Sequence, residues 1–350
     1  MKLIISNGSF ALRYLNRVFI VNLLSSIGIP FRIYEHRKYD PVIKKIKIKK
    51  PPIFILGHWR SGTTHLHNIL VQDHQFGYVS MLQASFPNSF MSNNLFHLIL
   101  KHMLPETRPM DNMELATYLP QEDEMALGNL FPYTLYNAFY FPKEMIQKYI
   151  RYVRFKGISN KIIKKWKINY YYLLQKTTYS MKGKQLILKN PANTARIKML
   201  LELFPKAKFI HIYRNPYLIF LSTRNLIQHG IRPFMLQKVS DQEIEDYIFY
   251  VYKDVMKCYF REKELIPKGN LIDIQYERLE KDPLYEIENI YSNLNLSGFS
   301  NAQSSFRRYL QSIKNFKKNI YELTEEIIKK VEMHWNFTIK KWKYNIPVLP

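Results

Sequence analysis

The sequence predicts an α/β fold: a mainly parallel sheet flanked by helices and interrupted by a helical insertion. Three observations predict it. A short apolar run, PPIFIL (51–56), leads through a glycine-bearing loop into THLHNILVQ (64–72), which carries helical apolar spacing. The same order, apolar run then turn then helix, recurs at 185–205, 206–227 and 270–296. Between the first unit and the others, residues 80–180 are rich in Met, Phe and Tyr with scattered prolines, and read as mostly helical. Strands separated by helices argue for parallel pairing, because each strand must return across the sheet before the next begins.

Taken in order, residues 1–45 read as a helical lead-in followed by the basic run KKIKIKK (44–50). Its apolar part, VFIVNLLSSIGI (18–29), lies late, contains Asn22 and has no small-residue cleavage site after it, so it does not read as a signal peptide. It falls short of the roughly 20 apolar residues needed to span a bilayer, and is expected to pack on the domain or, as the second choice, to lie on a membrane surface. Residues 46–350 read as one domain, with the insertion at about 80–180. The single cysteine, Cys258, rules out an internal disulfide and fits a reducing, cytoplasmic setting. The formal charge is +24, from 52 Lys+Arg against 28 Asp+Glu. Such an excess attracts polyanions: nucleic acid, an anionic membrane surface or a multiply charged nucleotide. An AT-rich coding bias would produce the same abundance of Lys, Ile, Asn and Tyr.

The loop GHWRSGTTHLHNIL (57–70) holds the most chemistry. Gly57 and Gly62 have the G-x-x-x-x-G spacing of a phosphate loop, in which backbone N–H groups at a helix N-terminus cradle an anion. An ATP-binding loop would continue with Lys; here Thr63 and Thr64 follow, and Arg60 lies inside the loop instead. In open parallel sheets ligands bind beyond the carboxyl ends of the strands, where this loop, Lys189 and Arg214 all fall.

The segment WRSGTTHLHNIL resembles the 5′-phosphosulfate loop of sulfotransferases that use 3′-phosphoadenosine 5′-phosphosulfate (PAPS). The resemblance implies a P-loop-type fold in which the insertion covers the acceptor side. It implies that His58, Trp59, Arg60, Ser61, Gly62, Thr63, Thr64 and His65 line the donor, with Arg60 bridging to the sulfuryl group. His58, His65 and His67 lack metal-ligand partners, and their side chains read as packing or hydrogen-bonding groups. Sulfuryl transfer moves an anionic group in line between two oxygens, and a nearby cation with fixed N–H dipoles stabilises the charge that builds on the leaving phosphate. No metal is required. The product would be 3′,5′-ADP.

PAPS carries a 3′-phosphate, so a second anion site is expected. In the family an Arg at a strand end and a Ser eight residues later hold that phosphate; Arg214 and Ser222 match, with Asn215-Pro216 making the turn between them. The two cationic sites are expected to be separate, one at each end of the donor. NFKKNIYEL (315–323) falls where the family closes a basic segment over the nucleotide, which nominates Lys317, Lys318 and Asn319. LILKNPANTARI resembles the middle segment in which Lys-x-Pro follows a strand, and places Lys189 beside the sulfate or acceptor. Family-like segments span about 50–345. They resemble most the branch with Arg in the loop, shared by bacterial and tyrosylprotein sulfotransferases. The Lys-Thr-His segment of the cytosolic aryl branch is missing, so no histidine base is expected.

An acceptor hydroxyl must lose its proton, so a base is needed. YLPQEDEMAL (118–127) supplies Glu122, Asp123 and Glu124 just after a proline, where carboxylates also suit a helix N-terminus. Glu122 is the first choice and Glu124 the second; Asp111 in RPMDN (108–112) is a further candidate. The accepting group is read as a hydroxyl or, alternatively, an amine, on a small molecule, lipid or glycan. No nucleic-acid partner is expected, because no basic, aromatic-laced patch of a known type stands out; the basic surface leaves peripheral membrane contact open. Two alternatives compete: a P-loop kinase or nucleotidase, which expects Lys at position 63, and a basic nucleic-acid-binding protein.

Overall fold

A computed structural model describes residues 12–92 and 94–347, so the first eleven residues of the predicted lead-in and the last three of the predicted domain lie outside the described residues. Five strands form one parallel sheet: β1 (Ile53–Leu56), β2 (Phe76–Gly77), β3 (Gln185–Lys189), β4 (Lys208–Tyr213) and β5 (Leu271–Gln275). Their order is β2-β3-β1-β4-β5. The central strand β1 pairs on both sides: Ile53 faces Ile187 and Lys208, and Ile55 faces Lys189 and Ile210.

The pleat explains why β1 is apolar throughout. Phe54 and Leu56 point to a core layer with Leu186, Leu188, Trp166, Tyr170 and Leu173, the last three from the helix Asn160–Ser180. Ile53 and Ile55 point the other way, toward Leu66, Ile69 and Leu70 of the helix Thr63–Leu70 and Ile287 and Ile290 of Pro283–Asn293. Successive side chains alternate faces and both faces are covered, so no position tolerates a polar group. A third cluster gathers around Trp335, which stacks on Tyr252 with centroids 3.8 Å apart and joins the long helices Asp241–Glu262 and Glu325–Lys341.

The insertion is helical as expected, with helices at Met81–Ser85, Asn94–Met103, Asp123–Leu130, Tyr136–Tyr140, Met145–Tyr152 and Asn160–Ser180. Glu124 ties it to the sheet. Arg196 donates to both Glu124 oxygens, at 2.6 and 3.1 Å, and neither side chain is more than 1% exposed. Asn190 and the Leu135 N–H complete the shell. Against the expectation of Glu124 as second-choice base, its carboxylate is fully buried and both oxygens are engaged by Arg196. Leaving either charge buried alone costs roughly 3–5 kcal/mol.

The N-terminal reading is corrected too. The apolar run lies on two helices, Leu15–Ile27 and Ile29–Ile43, that meet at Gly28. It does not pack on the domain: Phe19 is 68% exposed, and Leu23 and Ile27 are also exposed. By length and composition the two helices together, Leu15–Ile43, are long and apolar enough to cross a membrane.

Asp123 is fully buried and accepts a hydrogen bond from the Tyr170 hydroxyl; burial pushes its carboxyl up to about 7. Between the ordinary carboxylate range and pH 7, the unfolded chain loses this proton while the folded chain keeps it. Its contribution to stability is therefore complete at acid pH and is lost as pH rises through 7. Melting curves of the native protein and Asp123→Asn from pH 4 to 8 should diverge, the native curve falling relative to the variant; parallel curves would refute the assignment.

Candidate active site

The site grows from the carboxyl ends of β1, β3 and β4. The chain leaves β1 at Gly57, whose φ is 145°. A Cβ there would stand 2.5 Å from the Ile212 carbonyl oxygen, so the sharp exit from the strand needs glycine. The Gly57 N–H donates to the Thr194 hydroxyl at 2.8 Å, and that hydroxyl donates back to the Gly57 carbonyl at 3.0 Å. Ser61 tightens the loop: its N–H and hydroxyl both donate to the His58 carbonyl, at 3.1 and 2.8 Å. Gly62, at φ 98°, passes directly against the Tyr276 ring and opens the helix Thr63–Leu70. The N–H groups of Arg60, Gly62, Thr63 and Thr64 find no partner among the described residues. A helix leaves its first N–H groups free, and here they converge in one concave turn.

Arg60 itself adopts φ 72°, the left-handed region that side chains avoid. That turn carries its guanidinium across the loop. Its Nε donates to Ser222 Oγ at 2.8 Å and its Nη1 to Asp111 Oδ2 at 2.5 Å. Asp111 also accepts from Arg108 Nη2 at 2.9 Å, so one carboxylate bridges two arginines. From the end of β4, Arg214 donates to the Arg60 carbonyl at 3.2 Å and stacks 4.3 Å over Tyr276, while its buried Nε has no partner. The two expected cationic sites adjoin each other. Arg60 touches Ser222, and Arg214 holds the Arg60 backbone; the two anchors are halves of one cleft.

A cover lies over this cleft. Asn319 and Asn225 both donate to the Met110 carbonyl at 2.8 Å, and the Tyr321 hydroxyl donates to Ser222 Oγ at 3.1 Å. Lys318 leans instead on Glu280 at 2.5 Å, beside Tyr276, and Lys317 is exposed with no partner among the described residues. Of the three nominated residues, only Asn319 reaches the loop of Asp111.

The histidines point away from chemistry. The His58 ring is buried edge-on to Tyr252, its Nδ1 donates to the Trp59 carbonyl, and burial pushes its pKa down to about 4. His67 is likewise buried, donates to the Ile187 carbonyl and falls to about 3. His65 meets Tyr276 edge-on and is also held down by burial. Trp59 packs on the cluster around Trp335. His58 and Trp59 thus face the core, leaving only their backbone to the loop.

At the end of β3, Lys189 is 1% exposed and donates to Glu122 Oε1 at 2.9 Å, while the Tyr136 hydroxyl donates to Oε2 at 2.9 Å. Burial pushes the Lys189 ammonium down, and Glu122 opposes that shift. Glu122 stands just before the helix Asp123–Leu130 and keeps a 12% exposed side chain, unlike its two neighbours. Arg108 feels both Asp111 and Glu122, which links this pair to Arg60. The arrangement runs from Ser222 through Arg60, Asp111 and Arg108 to Glu122 and Lys189: an anion cradle at one end, an oriented carboxylate at the other.

Sequence reasoning missed Arg108, Tyr136, Thr194, Asn225, Tyr276 and Tyr321. Two signals were present. Asn225 follows Ser222 by three residues on one helix face, and Tyr321 lies two residues beyond Asn319.

A profile described as the sulfotransferase family matches residues 51–301. The omega-hydroxy-beta-dihydromenaquinone-9 sulfotransferases Stf3 of Mycobacterium bovis and Mycobacterium tuberculosis are each 31% identical over 347 residues, covering 99% of this chain and 89% of theirs. The fold matches the crystal structure of sulfotransferase STF1 from Mycobacterium tuberculosis with a TM-score of 0.69 at 18% identity, covering 95% of this chain and 88% of that one. It matches STF9 from Mycobacterium avium with a TM-score of 0.69 at 17% identity, covering 91% and 82%. The extent of the match, together with a phosphate loop that carries arginine and lacks the ATP-binding lysine, makes this chain a member of the sulfotransferase family and an enzyme of that class.

Proposed function

We propose that the enzyme uses PAPS as donor and sulfates a hydroxyl on an apolar, lipid-like acceptor. The observation that supports the donor best is the cleft in which Arg60, Ser222 and Arg214 meet the free N–H groups of Gly62, Thr63 and Thr64. The orphaned Arg214 Nε is a buried donor that lacks an anion. PAPS, when bound, supplies the sulfuryl group and leaves as 3′,5′-ADP. The Thr63 and Thr64 hydroxyls and the loop N–H groups suit the 5′-phosphate, Arg60 the sulfuryl group, and Arg214 with Ser222 the 3′-phosphate. Asn319 closes the cover, and Lys317 and Lys318 add positive charge at its outer edge. The kinase or nucleotidase reading lacks its lysine, since position 63 is Thr. The nucleic-acid-binding reading finds no support in the family match.

Glu122 is the proposed base. Lys189 and Tyr136 each fix one of its oxygens, which orients the carboxylate and limits its motion. An incoming hydroxyl proton would pass to this carboxylate, and Lys189 would balance the charge of the reacting oxygens. The acceptor class rests on the 31% identical relatives, whose name specifies a hydroxylated menaquinone derivative. A hydroxyl at the end of an apolar chain fits an insertion rich in Met, Phe and Tyr. The basic surface supports contact with a membrane in which such an acceptor dissolves. A cytoplasmic location remains part of the proposal.

Three measurements test this reading. 3′,5′-ADP should raise the melting temperature clearly more than 5′-AMP, since only the former engages Arg214 and Ser222; equal shifts would remove the 3′-phosphate site. Arg60→Ala should lower kcat by about 10²–10³-fold while the fold persists; undiminished turnover with PAPS would sink the role of Arg60. Glu122→Gln should lower kcat by about 10²–10⁴-fold with little change in 3′,5′-ADP affinity. A loss confined to donor affinity would reassign Glu122 as a mere partner of Lys189.

A further inference from the structure

The helix Leu15–Ile27 lies almost free of the body, yet its surface is apolar. Leu15, Phe19, Leu23 and Ile27 recur at every fourth position and are 48–68% exposed, with Ile20 beside them. Ile29 and Ile33 carry exposed apolar surface onto the next helix. Isolated exposed apolar residues are ordinary, but a contiguous stripe marks a surface that something covers. Positive charge follows directly. Residues 12–50 hold ten Lys and Arg against two acids. Both acids are spoken for: Glu35 pairs with the buried Lys176, and Asp40 lies 2.9 Å from Lys44. Arg32 and Arg37 are exposed, have no partner among the described residues, and line an open groove of about 960 Å³ with Tyr171 and Tyr172.

We propose that this helix pair docks the enzyme on an anionic phospholipid surface. The apolar stripe lies in the acyl boundary, and Arg32, Arg37 and the 44–50 lysines meet the headgroup phosphates. The second helix decides between lying on the membrane and crossing it. Glu35 accepts from Lys176, from the Met91 and Ser92 N–H groups and from the Ser92 hydroxyl, while Asp40 accepts from Tyr172 at 2.6 Å. These bonds hold Ile29–Ile43 against the body, so only the first helix, 13 residues long, is free to enter lipid. That is shorter than a bilayer requires.

The position fits a lipid acceptor. Phe31 meets Phe96 edge-on at 5.1 Å, and the helix Asn94–Met103 that carries Phe96 leads in the chain to Arg108 and Asp111. Arg17 donates to the Pro233 carbonyl at 2.5 Å, just beyond the turn that sets Gly230 against Met110. A neighbour of each helix of the pair thus leads toward the loop that covers Arg60. The idea deepens the lipid-acceptor reading, but vesicle binding does not need that reading to be right.

The test uses the full chain and flotation with vesicles of phosphatidylcholine alone or mixed with phosphatidylglycerol. The protein should float with the anionic vesicles, and less so in high salt. Phe19→Asp with Leu23→Asp, both exposed, should weaken flotation by about tenfold or more while the melting temperature and its rise with 3′,5′-ADP stay unchanged. Arg32→Glu with Arg37→Glu should reduce flotation with anionic vesicles only. No flotation, or flotation that survives both double substitutions, overturns the proposal. So does a dimer that the Phe19 and Leu23 changes dissociate without any vesicle binding, since the stripe would then cover a second copy. A lost 3′,5′-ADP response in the native protein would instead strike the donor assignment and leave docking standing.

Discussion

The site depends on the backbone of one residue. Arg60 in the left-handed region costs roughly 1–3 kcal/mol relative to ordinary conformations. Arg214 on its carbonyl and Ser222 and Asp111 on its guanidinium hold it there. Were Arg60 to relax to negative φ, its side chain would leave Ser222, and the free N–H groups behind it would no longer converge. Gly57 and Gly62 serve the same turn from either side: one lets β1 end against Ile212, the other lets Tyr276 close down. Arg214 reaches the same turn from β4, and Lys189 stands at the end of β3, so the parallel sheet sets the spacing of the whole cleft.

Around that turn, burial separates carboxylates that are adjacent in sequence. Glu122, Asp123 and Glu124 occupy three successive positions and meet three different environments. Glu124 finds Arg196 and becomes a fixed structural charge. Asp123 finds only a tyrosine hydroxyl at zero exposure and is pushed toward its neutral form. Glu122 stands before the helix, held by Lys189 and Tyr136, and keeps a partly exposed side chain. A helix turns about 100° per residue, which is enough to send neighbours to unrelated fates.

That separation also marks what the sequence could and could not tell. Strands β1, β3, β4 and β5 were legible because each is an apolar run ended by a turn and followed by helical spacing. Strand β2 was not, since two residues carry no period. Arg60, Lys189 and Arg214 could be placed at one edge of the sheet because parallel strands end there, while Ser222 and Asn319 were reached through the family resemblance. Which acid would be structural was hidden, because the partner of Glu124 comes 72 residues later. The contact between Arg60 and Ser222 was hidden too, because spacing along the chain says nothing about how far a guanidinium folds back. The N-terminal helix was misjudged for a related reason: an apolar stripe announces burial but not whether protein or another medium provides it.

The Asp111 carboxylate resting on Arg60 and Arg108 sets a threshold for whatever anion enters. It is tethered, so its effective concentration at Arg60 is on the order of millimolar or higher. Chloride, sulfate or a lone phosphate must compete with it through a single contact. A ligand that also grips the loop N–H groups and Arg214 competes through several at once. A lone anion would thus gain little by displacing Asp111 from Arg60, whereas a ligand with several charged groups would replace that contact with more than one.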